Sequence, residues 1–307
     1  MCGIAGIYHY DPADMNGAVM ENMLECMSHR GPDGSGIYQD NEIMLGHKRL
    51  SIIGLTTGAQ PMPNEDRSIH VCANGEIFNY IELREDLRKR GHTFSTTCDI
   101  EVIAPLYQEY GLDFISHLNG QFAFALWDIR ACRLVLARDR FGIAPLFYTR
   151  KGNTVVFAST VRALMPVIGK AEMDLEGLAQ VFTFWSTLAP KTVFRDIYQV
   201  RPGECIIYEK DSSRSFIYWD MSFPRMGHHD ITAEDKALAA VREALDGSTS
   251  IRLRSDVPVG AYLSGGLDSS ILTTLVKRHT DYMETFSVSF SDPAYDEAPF
   301  QQAMAGM

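Results

Sequence analysis

What the chain lacks narrows its class first. The six cysteines among 307 residues stand at 2, 26, 72, 98, 132 and 205, so no CxxC pair exists. That spacing offers no zinc ribbon, and a chain of this size does not need a disulfide framework. A reducing, cytoplasmic compartment is expected, with Cys26, Cys132 and Cys205, in apolar surroundings, as core filling. No apolar run reaches the ~18 residues of a membrane span. The N-terminus has neither the basic segment nor the apolar stretch of a secretion signal. Lys and Arg number 28 against 39 Asp and Glu, a formal charge of -11, so the basic face that nucleic acid requires is missing. Neither nucleic acid nor membrane is therefore expected as a partner. With 46% hydrophobic and 22% charged residues, disorder and low complexity are excluded too. No internal repeat is present, and the length allows about two ordinary domains.

The first ~210 residues read as strands mixed with a few helices. Strands are expected at Cys2 to Tyr8, Ile37 to Gln39, Ile43 to Leu50 and Ile69 to Ala73, the second and third joined by a turn at Asp40-Asn41. Further strands fit Gln121 to Trp127, Leu134 to Ala137, Leu146 to Tyr148, Thr154 to Ala158, Glu204 to Tyr208 and Ser215 to Trp219. Ala18 to Met27 reads as a helix. Asn79 would cap a second, with Ile81, Leu83 and Leu87 on one face, and Asp99 a third through Tyr107. This mixture predicts two sheets covered by helices.

After about residue 220 the pattern changes. Phe223 to His229 reads as a linker, and the adjacent His228 and His229 lack further ligands at metal-site spacing. Thr232 and Asp235 resemble a capping box. A helix follows, to Leu245 or as far as Arg254. Val257 to Leu263 reads as a buried parallel strand, Ser269 to Arg278 as a helix and Thr285 to Phe290 as a strand. Gln301 to Met307 reads as a helix cut off partway. The second domain is therefore expected to be the opening part of a larger one, weakly ordered after about residue 225.

Cys2 is the most informative single residue. Removal of Met1 would leave a thiol and a free α-amine on one residue. The amine titrates near ~8 and can take the thiol proton. Around it stand His29-Arg30-Gly31-Pro32-Asp33, His47-Lys48-Arg49-Leu50-Ser51-Ile52, Asn74-Gly75-Glu76-Ile77-Phe78-Asn79 and Thr97-Cys98-Asp99-Ile100-Glu101. The chemistry fits an amide substrate carrying an α-carboxylate and an α-ammonium. Asn74 offers a side-chain donor and Gly75 a backbone donor to a tetrahedral oxyanion. Arg49 can grip a carboxylate, and Glu76 or Asp99 an ammonium. Taken singly, Arg49 fits a surface ion pair, Asn74-Gly75 a hairpin turn and Asp99 a helix cap. Arg30 and Asp33 either hold a loop over the nucleophile or pair with each other.

In this order and spacing the four segments resemble the class II, N-terminal-nucleophile glutamine amidotransferases, over roughly residues 1 to 210. The resemblance implies an α+β fold, a four-layer α-β-β-α sandwich. It also implies a glutamine pocket of Arg49, Leu50, Ser51, Ile52, Ile53, Asn74, Gly75, Glu76 and Asp99 around Cys2. Asp128, Arg138, Asp139, Arg140 and Gly142 share the resemblance and read as structural ion pairs and a tight turn.

The second constellation is Ser264-Gly265-Gly266-Leu267-Asp268-Ser269-Ser270, a glycine-serine loop between an apolar strand and a helix. Backbone N–H groups in such a loop cradle phosphates. No lysine follows, so it is not a GxxxxGK[ST] loop. It resembles the pyrophosphate loop of ATP pyrophosphatases. The resemblance implies an α/β doubly wound domain with Leu263, Ser264, Gly265, Gly266, Asp268, Ser269, Ser270 and Val288 at ATP, and Mg2+ on Asp268. Both constellations in one chain resemble the glutamine-hydrolysing asparagine synthetase family. This implies an amidotransferase domain at 1–210, a linker at 211–231 and an incomplete synthetase-like domain at 232–307. Glutamine, ATP, Mg2+ and an acceptor carboxylate, aspartate first, are the expected ligands, with no prosthetic group and room for a homodimer. The remaining alternatives are a carboxylated-sugar or surface-polysaccharide-precursor acceptor, and a glutamine-binding relic without activity.

Overall fold

The structure is a computed structural model describing residues 1–10, 16–210, 212–231 and 233–306. Residues 1–221 form one compact unit and 222–307 a second. In the first, the elements run β1 (Gly3–His9), α1 (Gly17–Glu25), β2 (Gly34–Gln39), β3 (Ile43–Arg49), β4 (Met62–Pro63), β5 (Ile69–Ile77), α2 (Tyr80–Lys89) and α3 (Ile103–Tyr110). They continue with β6 (Gly120–Asp128), β7 (Arg133–Arg138), β8 (Phe147–Lys151), β9 (Thr154–Ala158), α4 (Met165–Ile168), α5 (Leu175–Phe184), β10 (Tyr198–Gln199), β11 (Glu204–Glu209) and β12 (Ser212–Ile217).

The strands make two six-stranded antiparallel sheets, ordered β10-β8-β9-β1-β3-β2 and β12-β11-β7-β6-β5-β4. The period-2 alternation of strand side chains sorts residues into layers. On β1, Ile4 and Tyr8 enter the layer between the sheets with Ile43, Leu45, Trp127 and Phe157. Ala5 and Ile7 face the other way, onto Met20, Met23 and Leu24 of α1. On β5, Cys72 joins the inter-sheet layer, whereas Val71, Ala73 and Ile77 pack with Leu87, Ile103 and Leu106 of α2 and α3. Three apolar layers between four ranks of structure make the expected α-β-β-α sandwich.

Local expectations differ from the structure at several points. Asn79 precedes α2, but its side chain does not cap it: Nδ2 donates to the His117 carbonyl at 2.9 Å and Oδ1 accepts from the Asn119 amide at 2.9 Å. Ile81 is 41% exposed, because it stands two residues from Leu83 and six from Leu87 and so lies off their face, whereas Arg84, three before Leu87, shares it and is buried. Arg84 donates to the carbonyls of Thr96 and Cys98. Asp99 opens a 3-10 turn (Asp99–Val102) before α3, and Cys98 holds the cap position. Cys205 is buried core, as expected, whereas Cys132 sits half-buried in the β6–β7 turn at φ 45°.

The second unit holds α6 (Glu234–Arg252), β13 (Gly260–Tyr262), α7 (Leu267–His279), β14 (Glu284–Phe286) and α8 (Ala298–Ala305). The β13 and β14 strands pair in parallel, with α7 between them in sequence. The expected buried strand at 257–263 is shorter and more exposed: Leu263 is buried, but Tyr262 is 85% exposed. A two-stranded sheet has too few neighbours to cover both its faces. The proposed cap Thr232 and the final Met307 lie outside the described residues; Ala233 precedes α6 without a side-chain cap. No helix among the described residues is long and apolar enough to cross a membrane.

Candidate functional site

Strand parity assembles the site. Even residues of β1 and β5 and odd residues of β3 face the inter-sheet layer, as Ile4, Cys72 and Leu45 show. Cys2, Asn74, His47 and Arg49 continue those three series toward one end of the sandwich. There a pocket is lined by Met1, Cys2, Arg49, Leu50, Ile52 and Ile53 from one side. Asn74, Gly75, Glu76, Cys98, Asp99 and Gln121 close the other. Of the nine residues expected at glutamine, eight line this pocket. Ser51 is not among them; its amide donates to Asp33 Oδ2 at 2.8 Å.

Cys2 Sγ accepts from the Leu50 amide at 3.3 Å and lies 3.5 Å from the Leu50 carbonyl oxygen. Burial pushes its thiol up from the ordinary range, opposed by the Leu50 hydrogen bond and the nearby positive charges of the chain amine and Arg49. Arg30 Nε donates to the Cys2 carbonyl at 2.9 Å. Arg30 and Asp33 therefore act as separate anchors, one on the chain start and one on the segment after β3, and no ion pair joins them among the described residues. Arg49 is fixed by the loop that follows, donating to the carbonyls of Gly54 at 2.6 Å and Leu55 at 3.0 Å. Gly58 leaves room for it, because a Cβ there would fall 2.4 Å from Arg49 Nη2.

Asn74 and Gly75 lie inside β5, opposite Ala123 and Phe122, and not in a hairpin turn. Gly75 has φ 139°, and a Cβ on it would fall 1.9 Å from the Gln121 carbonyl oxygen. The Asn74 side chain is fully buried, yet neither its Oδ1 nor its Nδ2 has a hydrogen-bond partner. An unpaired buried amide costs free energy, so such a group points to a missing ligand. The acidic pair behaves alike. Burial raises Asp99 to about 6, although its Oδ2 accepts from the Ile77 amide at 2.8 Å. Burial and the neighbouring Asp99 charge raise Glu76 to about 6. Two carboxylates held this way favour a cation between them.

The sequence reading missed Gly58, Gln60, Cys98, Gln121, Ile143 and Ala144 in the lining. Most come from loops with no pattern of their own. The expected ion pairs around Arg138 and Asp139 are instead bonds to backbone. Arg138 donates to the Ala144, Val200 and Gly142 carbonyls. Asp139 accepts from the amides of Phe141, Ile143 and Ala144. These contacts shape the turn that brings Ile143 and Ala144 to the pocket. Asp128 accepts from Tyr107, and Arg140 donates to the Leu118 carbonyl.

In the second unit, the residue 263–266 loop joins β13 to α7. Ser264 and Ser269 hydroxyls lie 3.0 Å apart, and Ser264 Oγ accepts from the Gly266 amide at 3.3 Å. Gly265 has φ 83°, and a Cβ there would fall 2.6 Å from Phe300 Cβ. Asp268 is exposed in the first turn of α7. Leu263 is buried, whereas Val288 is exposed. Among the described residues, no group of three or more His, Cys, Asp or Glu side chains gathers at a metal-holding distance. One carboxylate beside a glycine-serine loop is the kind of donor that Mg2+ takes together with substrate phosphates.

Residues 1–219 match the family model of the glutamine amidotransferase domain, and residues 240–307 that of asparagine synthase. Asparagine synthetase [glutamine-hydrolyzing] 1 of Bacillus subtilis is 38% identical over 302 residues, which are 97% of this chain and 47% of the relative. Amidase chry2 of Gibberella zeae is 38% identical over 90% of this chain and 43% of its own. Asparagine synthetase B of Escherichia coli is 34% identical over 91% and 45%. The chain thus spans about half the length of the curated relatives it matches. The solved glutamine phosphoribosylpyrophosphate amidotransferase of B. subtilis superposes with a TM-score of 0.53 at 19% identity, over 98% of this chain and 70% of that one. At that identity the match speaks for the fold alone.

Proposed function

The chain belongs to the glutamine amidotransferase domain family, and on that premise we propose that Cys2, freed of Met1, hydrolyses glutamine and supplies ammonia to an ATP-activated carboxylate. The unpartnered Asn74 amide in the Cys2 pocket carries the reading. With Met1 attached, the Cys2 nitrogen is a peptide amide and cannot accept a proton. Once free, the α-amine takes the thiol proton, and the thiolate attacks the glutamine side-chain carbonyl. Asn74 Nδ2 and the Gly75 N–H receive the oxyanion. The C–N bond then breaks, the α-ammonium returns its proton to the leaving nitrogen, and ammonia departs from a Cys2 thioester. Water opens the thioester to glutamate. Arg49 would hold the α-carboxylate, and Asp99 with Glu76 the α-ammonium.

The second unit is the ATP side of the proposal. Ser264, Gly265, Gly266, Ser269 and Ser270 would receive phosphates, Leu263 and Val288 would lie toward the adenine nucleotide, and Asp268 would hold Mg2+, which neutralises phosphate charge. Aspartate is the proposed acceptor, giving asparagine. Relatives named amidase stand at the same 38% identity, so a different carboxylate is the second reading. A soluble, cytoplasmic enzyme fits both. The test is glutamate release from glutamine by the chain with and without Met1, sorted by intact mass. The trimmed chain turns over, and the Met1-retaining chain and Cys2→Ala do not. A silent trimmed chain sinks the glutaminase. In a protein carrying a full-length synthetase domain, turnover without asparagine or pyrophosphate from aspartate and ATP sinks only the acceptor.

A further inference from the structure

The backbone of one residue beside Asn74 is held at both its amide and its carbonyl by buried side chains with no part in the proposed chemistry. The outer neighbour of β5 is the short β4, which pairs only Met62 with Val71 and Pro63 with His70. Ala73, one residue before Asn74, is fully buried. Its amide donates to Gln60 Oε1 at 2.6 Å. Its carbonyl oxygen lies 3.1 Å from His47 Nε2. Where the sheet runs out of strand, two side chains complete the hydrogen bonding of the Ala73 backbone.

The two arms are built together. His47 stands opposite Gly36 in the β2–β3 pairing. A Cβ on Gly36 would fall 2.1 Å from the Gln60 carbonyl oxygen, so the Gln60 backbone sits directly on that glycine. Both side chains are buried, His47 at 1% exposure and Gln60 at 8%. Burial lowers His47 to about 4, so the ring is neutral and donates from Nε2 to the Ala73 carbonyl. The Asn74 amide has no partner to steady it. Its aim depends on the backbone that carries it.

We propose that His47 and Gln60 are positioning residues that clamp the Ala73 backbone, Gln60 on the peptide before it and His47 on the peptide that leads into Asn74, and thereby hold the Asn74 amide at the oxyanion position. The proposal rests on the glutamine-hydrolysis reading above. A misaimed donor weakens the transition state and leaves ground-state binding by Arg49, Glu76 and Asp99 in place.

The experiment uses the Met1-free chain and the variants His47→Leu, Gln60→Leu, His47→Gln and Gln60→Glu. Glutamine kinetics are measured beside inhibition by the γ-aldehyde analogue of glutamine, which adds the Cys2 thiol to form a tetrahedral adduct. A lost oxyanion donor costs roughly 10²–10³ in kcat, so a misaimed one should cost about 10- to 100-fold in the leucine variants. KM should stay within about threefold, and aldehyde affinity should fall with kcat. His47→Gln keeps a donor and Gln60→Glu an acceptor, and both should recover most of the loss. Should the leucine variants not fold, His47→Asn, a donor of shorter reach, should show the same loss in kcat alone. Unchanged kcat in the folded variants, or KM rising in step with the loss, overturns the clamp. A parent chain without turnover overturns the glutaminase reading itself, which is a separate outcome.

Discussion

Asp99→Asn separates the stability cost of the pocket from its use. Burial raises the Asp99 carboxyl from 3.8 to about 6. A carboxyl raised by folding binds its proton more tightly in the native state, so stability falls as pH rises between about 4 and 6 and stays low above that window. At 1.36 kcal/mol per tenfold change in proton binding, the charged carboxylate costs the apo protein about 3 kcal/mol at pH 8. Asparagine removes the charge and keeps an oxygen to accept from the Ile77 amide. It also removes one cause of the raised Glu76. For a unit of this size, about 3 kcal/mol moves Tm by roughly 6–12 °C. All three tryptophans, Trp127, Trp185 and Trp219, lie in the first unit, so fluorescence melting reports this unit alone. The variant should melt higher at pH 8 and like the parent at pH 4. Its kcat/KM for glutamine should fall about 10- to 100-fold with the lost charged hydrogen bond. Glutamine should raise the Tm of the parent far more than that of the variant. A variant no more stable at pH 8, or one whose advantage survives at pH 4, refutes the reasoning.

Two further outcomes follow from the geometry. Asn74→Ala should lower glutaminase kcat by roughly 10²–10³ with little change in KM, because only the transition state uses that donor; steady-state kinetics check it. Gly265→Ala places a Cβ against Phe300 at a left-handed φ, so the second unit should lose roughly 1–3 kcal/mol. Limited proteolysis after residue 222 should speed up while the tryptophan melt stays in place.

Most of the two sheets was legible in the sequence because short apolar runs are separated by turn residues such as Asp40-Asn41, whereas β4 and β10, two residues each, left no such run. Cys2, Arg49, Asn74 and Asp99 were legible because their residue types suit one substrate. The clamp was not, since Gln60 reaches Ala73 from a loop and His47 from the other sheet, and no local pattern links them. His47 shares the parity of Arg49 on β3, which was the available signal. The short, exposed β13 shows the opposite failure. A hydrophobic residue in periodic register says which way it points, but not whether another layer stands there to cover it. Arg84 took the covered position on α2 because its guanidinium reaches carbonyls beyond the helix.

The place of β1 in its sheet sets an order of events during synthesis. It is a central strand, flanked by β3 on one side and β9 on the other. The Ile4 amide closes on Ser159 Oγ, 155 residues away in sequence. That bond, and the whole β9 side of β1, cannot form until the chain has grown past Ser159. At about 5–20 residues per second, that leaves the start of the chain unseated for roughly 8–30 s. During that interval Met1 lies on an open segment, accessible to the proposed trimming, and the thiol behind it has no pocket to act in. Trimming in that interval would unmask the nucleophile before its pocket exists, and the proposed glutaminase would have to wait at least for the ninth strand.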